Sequence, residues 1–213
     1  PNSEEAQATL YACYFALKAA FFTEKFSDSY HNALATFFSA YDTYISIVTS
    51  EIKPTCKSQC SACCFDNPHG VSGVELLYIY EAIKDDIRLE QLRSDIATRY
   101  VEFHQTRKNK GQKNLQIKWK KKLKPCMFLN AEKECSIYAH RPVACRMFFS
   151  VTNPEWCHPA NKNFDDAINP HLEPSSAIKD LLKKLSSEIK FAELPKDLIS
   201  GMHILLKRME KKG

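Results

Sequence analysis

The chain has 213 residues, 44% of them hydrophobic and 26% charged, the profile of a globular protein long enough to bury a core without covalent help. Five glycines argue against a loop-dominated scaffold held by staples; no apolar run reaches bilayer length, and no basic-then-apolar leader opens the chain. A net charge of +5 and nine cysteines, an odd number that intrachain pairing would not exhaust, remain to be explained. Clustered cysteines beside Lys-rich segments predict a cytoplasmic thiolate protein with no membrane contact rather than a secreted disulfide framework.

The first half is helical by its period. Leu10, Tyr14, Leu17 and Phe21 predict an amphipathic helix over about 4–24. Tyr30, Leu34, Phe37, Tyr41, Ile45, Val48 and Ile52 form one apolar stripe on a second, longer helix with Ser27 or Asp28 at its N-cap. The short "TEKFSDS" between them predicts an antiparallel pair. Cys13 lies near this face and reads as a small buried hydrophobe.

Past Pro54, Ser72 and Glu75 have capping-box spacing, so a helix begins there and runs to about Ile83. Leu89, Leu92, Ile96, Tyr100 and Phe103 mark the next helix. Two β-prone arms, Cys126–Leu129 and Cys135–Tyr138, flank a polar turn and predict a small hairpin. Pro142 suits the first position of a short helix carrying Cys145. A Pro- and Asn-rich loop follows. Ile178, Leu181, Leu182, Leu185 and Ile189 then predict one amphipathic helix, and Pro195 opens another with Leu198, Met202, Leu205 and Met209. The expected fold is mainly α: a single-domain helical bundle (1–213) with an N-terminal helical hairpin (1–52), a cysteine-rich metal-binding core that includes the hairpin (53–160), and a C-terminal helical pair (161–213).

Charge is unevenly placed. No acidic residue lies between Glu102 and Glu132, while Arg107–Lys124 holds nine Lys or Arg, including "KWKKKLK". Such a run could hold nucleic acid or an acidic protein partner, with Trp119 available for stacking. For one isolated run the adopted reading is a solvated loop and helix face, without nucleic acid.

The cysteines carry the chemistry. "CKSQCSACC" places Cys56, Cys60, Cys63 and Cys64 within nine residues, and Cys126, Cys135, Cys145 and Cys157 follow at separations of eight, nine and eleven. A tight ligand cluster joined by distant ligands is a common plan for metal sites, because closing them ties the loops between. Thiolates are soft donors for Zn²⁺, Cu(I) and iron–sulfur clusters. Cys63 and Cys64, being adjacent, point apart: they serve two metals, two edges of one cluster, or one of them packs. A vicinal disulfide would be strained, and a catalytic thiol needs a base rather than seven sulfur neighbours. In "HRPVACR", Arg141 and Arg146 are placed to offset thiolate charge and donate to sulfur, with His140 beside them. His158, in "WCHP", is a weaker ligand candidate.

"CKSQCSACC", then "VSGVEL", then "PCMFLNAEKECSIYAHRPVACR" resembles the YkgJ-type cysteine-cluster family, a zinc- or iron-chelating domain, over about residues 56–149. The pattern is C-x3-C-x2-C-C, C-x-F-L, C-x-I-Y and R-P-x-x-C-R. The resemblance implies Cys56, Cys60, Cys63, Cys64, Cys126, Cys135 and Cys145 as metal ligands, with Cys157 beyond the core pattern. Flagellin lysine methylases, thought to hold an iron–sulfur cluster, are similar in their cysteines, but this chain lacks their long additional region. Radical S-adenosylmethionine enzymes share C-x3-C-x2-C, yet no βα alternation or Gly-Gly-Glu-like stretch accompanies it here. The expectation is therefore a metalloprotein binding iron, as an iron–sulfur cluster, or else zinc, with a redox or electron-transfer role. The alternatives are a zinc-stabilised interaction module with a protein partner, and a lysine methylase-like enzyme.

Overall fold

The computed structural model describes residues 2–23, 27–50, 52–57, 59–110, 115–169, 176–188, 194 and 197–211. Its first two helices, α1 (Ser3–Thr23) and α2 (Asp28–Thr49), pack along each other. Each has a sequence-local start. Asn2 and Glu5 exchange side-chain-to-amide hydrogen bonds at α1, and Ser27 accepts from the Tyr30 amide at α2, satisfying donors a first turn leaves open. Leu10, Tyr14, Leu17 and Phe21 of α1 meet Tyr30, Leu34, Phe37 and Tyr41 of α2 in the main core. Fully burying one such side chain contributes about 1.5–3 kcal/mol relative to leaving it in water.

Helix α3 (Gly73–Ile83) is buried on nearly every side, from Val74 to Ile79, which makes it the central element. The Ser72–Glu75 capping box forms as the spacing predicts. Tyr78 stacks on Phe38 of α2, ring centroids 5.0 Å apart. Helix α4 (Leu89–Lys110) is followed by the short α5 (Leu115–Lys120) and α6 (Val143–Arg146). Helices α7 (Ser176–Glu188) and α8 (Leu198–Glu210) cover α3, and α4 packs on α8 and α5. Ser186 of α7 locks this layer: its hydroxyl donates to the Leu182 carbonyl and accepts from the Val74 amide. The sequence-predicted Pro195 and Ile189 lie outside the described residues, as do the side chains of Ile178 and Leu181.

Two expectations need correction. Among the described residues there is no strand, so the predicted hairpin of Cys126–Leu129 and Cys135–Tyr138 is not a sheet. Each arm curls into a turn, with the Leu129 amide bonding the Cys126 carbonyl and the Tyr138 amide the Cys135 carbonyl. Only the pair Leu129 and Cys135 is left to bridge. A ladder needs several consecutive extended residues, and these arms have one apiece. Pro142 stands one position before α6, as its N-cap, rather than opening it.

Trp119 is not an exposed stacking platform either. It is 1% exposed and meets Phe103 edge-on at 5.3 Å, in a small second core with Leu115 and Ile199. No described helix is long and apolar enough to cross a membrane.

Candidate metal centre

Most of the candidate cysteines sit on irregular chain and short turns hung between helices. Cys56 and Cys60 lie on the loop after α2; Cys63 and Cys64 lie in a 3-10 turn, Ala62–Phe65. Cys126 and Cys135 belong to the two curled arms, Cys145 to α6, and Cys157 to a second 3-10 turn, Pro154–Cys157. Hydrogen bonds draw these segments together. The Cys126 amide donates to the Cys64 carbonyl at 2.6 Å, and the Thr55 amide to the Ser150 carbonyl at 2.8 Å. The two 3-10 turns pack on each other, with the Phe65 and His158 rings 4.4 Å apart.

Two anchors hold this loop layer to the bundle. Asn67, three residues after Cys64, donates to the Asp197 carboxylate at 2.9 Å and accepts from the Ile199 amide at 3.2 Å, at the N-terminus of α8. Glu75 anchors the other side. One carboxylate oxygen takes the Ser72 amide and hydroxyl, both at 2.6 Å, and the other takes the Val143 amide at 2.7 Å, two residues before Cys145.

The sulfurs themselves fall within electrostatic reach of one another. Cys56 faces Cys60, Cys63 and Cys157; Cys145 faces Cys126, Cys63 and Cys135. Burial pushes the Cys126 thiol up to about 11, with repulsion from Cys135 and Cys63 adding to it and a backbone N–H from Phe128 and the charge of Arg99 opposing it. Burial likewise raises Cys135, Cys145, Cys56 and Cys157. Cys63 is raised first by its hydrogen bond with Cys64, then by the protein atoms packed around it, although the residue is exposed at the surface. Thiols crowded in this way give up their protons to solvent when a cation binds the sulfurs.

Several sulfurs already have a donor aimed at them. The Ser150 amide reaches Cys56 Sγ at 3.3 Å, while the Cys157 thiol donates to Asn169 Oδ1 at 3.1 Å. The backbone N–H groups of Phe128 and Ile137 lower the Cys126 and Cys135 thiols against the effect of burial. N–H donors to sulfur stabilise a thiolate and orient it for coordination. The donor set therefore fits a soft metal. Among the described residues, no three His, Cys, Asp or Glu side chains stand close enough together to hold an ion.

The two arginines divide. Arg141 stacks 3.8 Å over Tyr138, pairs with Asp42 of α2 at 3.2 Å, and lies within electrostatic reach of Cys135 and Cys145. Arg146 has a side chain 0% exposed, committed to Asp42 and to the carbonyls of Arg141 and Ala139. The cations that sequence reading missed are Arg99, near Cys126, and Lys120, near Cys157. Lys120 pairs with Asp66 at 2.9 Å and lies 5.8 Å over the Phe148 and Phe164 rings, beside a cleft lined by Cys63 and Cys157. His140 packs on Tyr78, and burial, then Arg146, lowers its pKa. His158 accepts from the Ala160 amide. Cys13 packs against the helical core.

Eight thiols borne on the loops and short turns of a helical scaffold are the donor type that a soft metal takes. The chain belongs to the CxxCxxCC family, described as "Putative zinc- or iron-chelating domain", whose model matches residues 55–167. Neither a curated protein nor a solved structure matches the chain, so the likeness to flagellin lysine methylases has no counterpart there.

Proposed function

We propose that this chain is a cysteine-ligated metalloprotein that holds iron as an iron–sulfur cluster and serves a redox or electron-transfer step. The observation that carries the reading is the approach of two sets of thiols from separated segments, Cys56, Cys60 and Cys157 on one side and Cys126, Cys135 and Cys145 on the other, to within electrostatic reach of Cys63, with Cys64 bonded into the same turn. The family description, which names iron or zinc, supports the metal. A bound cluster would supply one-electron chemistry. The chain's own share is to orient the sulfurs and to tune potential through the Ser150, Phe128 and Ile137 amides and the nearby Arg99, Arg141 and Lys120 charges.

Zinc is the second reading, favoured by the irregular chain on which the cysteines sit. Loops with few ladder hydrogen bonds of their own gain most from a structural ion. Anaerobic purification separates the two. Brown protein with visible absorbance and iron and sulfide in elemental analysis supports the cluster, whereas colourless protein with stoichiometric zinc supports the staple. Neither metal at stoichiometric level sinks both.

A further inference from the structure

We infer that the outward face of α1 is a self-association surface, on which two copies of this chain pair antiparallel through the stripe Ala8, Tyr11, Phe15, Lys18 and Phe22.

The face is apolar where a helix at a protein's surface is ordinarily charged or polar. Leu10, Tyr14, Leu17 and Phe21 already turn one side of α1 into the core. The opposite side carries Phe15 and Phe22, 64% and 59% exposed, together with exposed Ala8, Ala12 and Ala19. No charged residue lies between Glu5 and Lys18. Helix α2, alongside, exposes Asn32, Thr36, Ser39 and Thr43 instead. Two exposed aromatic rings about two turns apart on one helix face make a patch rather than scattered exposure.

The pattern on the face selects its occupant. Ala8, Tyr11, Phe15, Lys18 and Phe22 step by three, four, three and four, the spacing at which one helix seats another along its length. Charge then points to a second copy of α1. Glu4 is exposed at the start of the stripe, and Lys18 lies near its end, its ammonium 5.9 Å from the centre of the Phe22 ring. An antiparallel pair centred on Tyr11 sets each Glu4 opposite Lys18 of the other copy and brings each Phe15 over the small side chain of Ala8. A parallel pair would instead set like charges and like helix ends together. The antiparallel contact is isologous: every match occurs twice, and association closes at two copies. One helix from each copy makes a small interface, so the dimer dissociates on dilution. The pairing uses no candidate metal ligand and does not rest on the metal-binding reading.

The test is sedimentation velocity on the full chain, with reductant present so that the exposed Cys56 and Cys63 do not cross-link copies. Between about 5 and about 500 µM the average mass should climb from monomer towards dimer. F15E places a carboxylate in the seam and should stay monomeric across that range. Far-UV circular dichroism checks that it keeps its helices, and F22E replaces it if it does not. E4K and K18E should each weaken the dimer severalfold, and the E4K/K18E double variant should recover it, because exchanging the charges restores both pairs. A wild type that stays monomeric at the highest concentration overturns the proposal, as does a dimer that F15E leaves intact. A helical double variant that fails to recover pairing overturns the antiparallel arrangement.

Discussion

The Glu75 carboxylate accepts a 2.7 Å hydrogen bond from the Val143 amide, tying the cap of α3 to the first residue of α6, two positions before Cys145. The same side chain closes the capping box with Ser72. One buried carboxylate thereby starts two helices, and the second holds a candidate ligand. In E75A the Val143 and Ser72 donors lose their acceptor in a dry site, a cost of about 1–3 kcal/mol. Denaturant unfolding should show that loss, and the metal-free variant should let Cys145 react faster with an alkylating reagent.

The Arg146 guanidinium is shut from solvent, while its partner Asp42 has a side chain 40% exposed. Removing the acid strands a buried cation, whereas removing the arginine leaves a carboxylate that water can reach. D42N should therefore destabilise more than R146M. Its cost should fall near or below the low end of the roughly 3–5 kcal/mol seen on breaking buried pairs, because Asp42 is partly solvated. Equal or reversed losses on thermal melting would show that the pair's burial does not govern its energetics.

Asn67 and Asp197 join the cysteine loop to α8. D197A removes the cap on the Ser200 amide, worth about 1 kcal/mol, and also the partner of Asn67. In a double-mutant cycle with N67A the two losses should be non-additive by about 0.5–3 kcal/mol. Additive losses would mean that the loop is not anchored through this pair.

His203 of α8 stacks on Tyr100 at 4.1 Å, and burial, then Lys207 and His104, lowers its pKa. The unfolded chain takes up the proton more readily than the folded one. The stability tied to neutral His203 is therefore present above the ordinary histidine range, near 6.5, and is lost as pH falls through the lowered folded value. The unfolding free energy of wild type relative to H203N should shrink between about pH 8 and about pH 5. A difference that stays constant or grows on acidification refutes this.

Chelation should lower the melting temperature of the metal-loaded protein and expose the loops around Cys56–Cys64 and Cys126–Cys157 to protease before the helices. C13S, by contrast, should keep its full metal content, since Cys13 packs in the helical core. Because burial raises the candidate thiols, each one that binds metal gives up a proton, so metal affinity should fall as pH falls. Thermal melts, limited proteolysis, elemental analysis of C13S and competition titrations at several pH values read these effects.

Much of the helical frame was legible because periodicity is local information. The stripes beginning at Leu10 and Tyr30 became the facing surfaces of α1 and α2, and Ser72–Glu75 became the cap the spacing required. The arms around Cys126 and Cys135 misled for the same reason: β-prone composition describes a residue's preference, while a ladder depends on whether a partner stays extended beside it. Trp119 read as available because its neighbours are lysines, and the apolar side chains that bury it, Phe103 and Ile199, are distant in sequence.

For the candidate site, the eight thiols and their family pattern stood in the sequence, since donor chemistry is a property of residue type. Their neighbours did not. Ser150 beside Cys56, Arg99 beside Cys126, Lys120 beside Cys157 and Glu75 beneath Val143 carry no spacing signal, because each contact closes a long loop. Sequence by itself determined the soft-donor chemistry and the amphipathic helices, which depend on composition and period. Only the tertiary structure decided which amides and charges face each sulfur, because electrostatics and hydrogen bonding act through space and not along the chain.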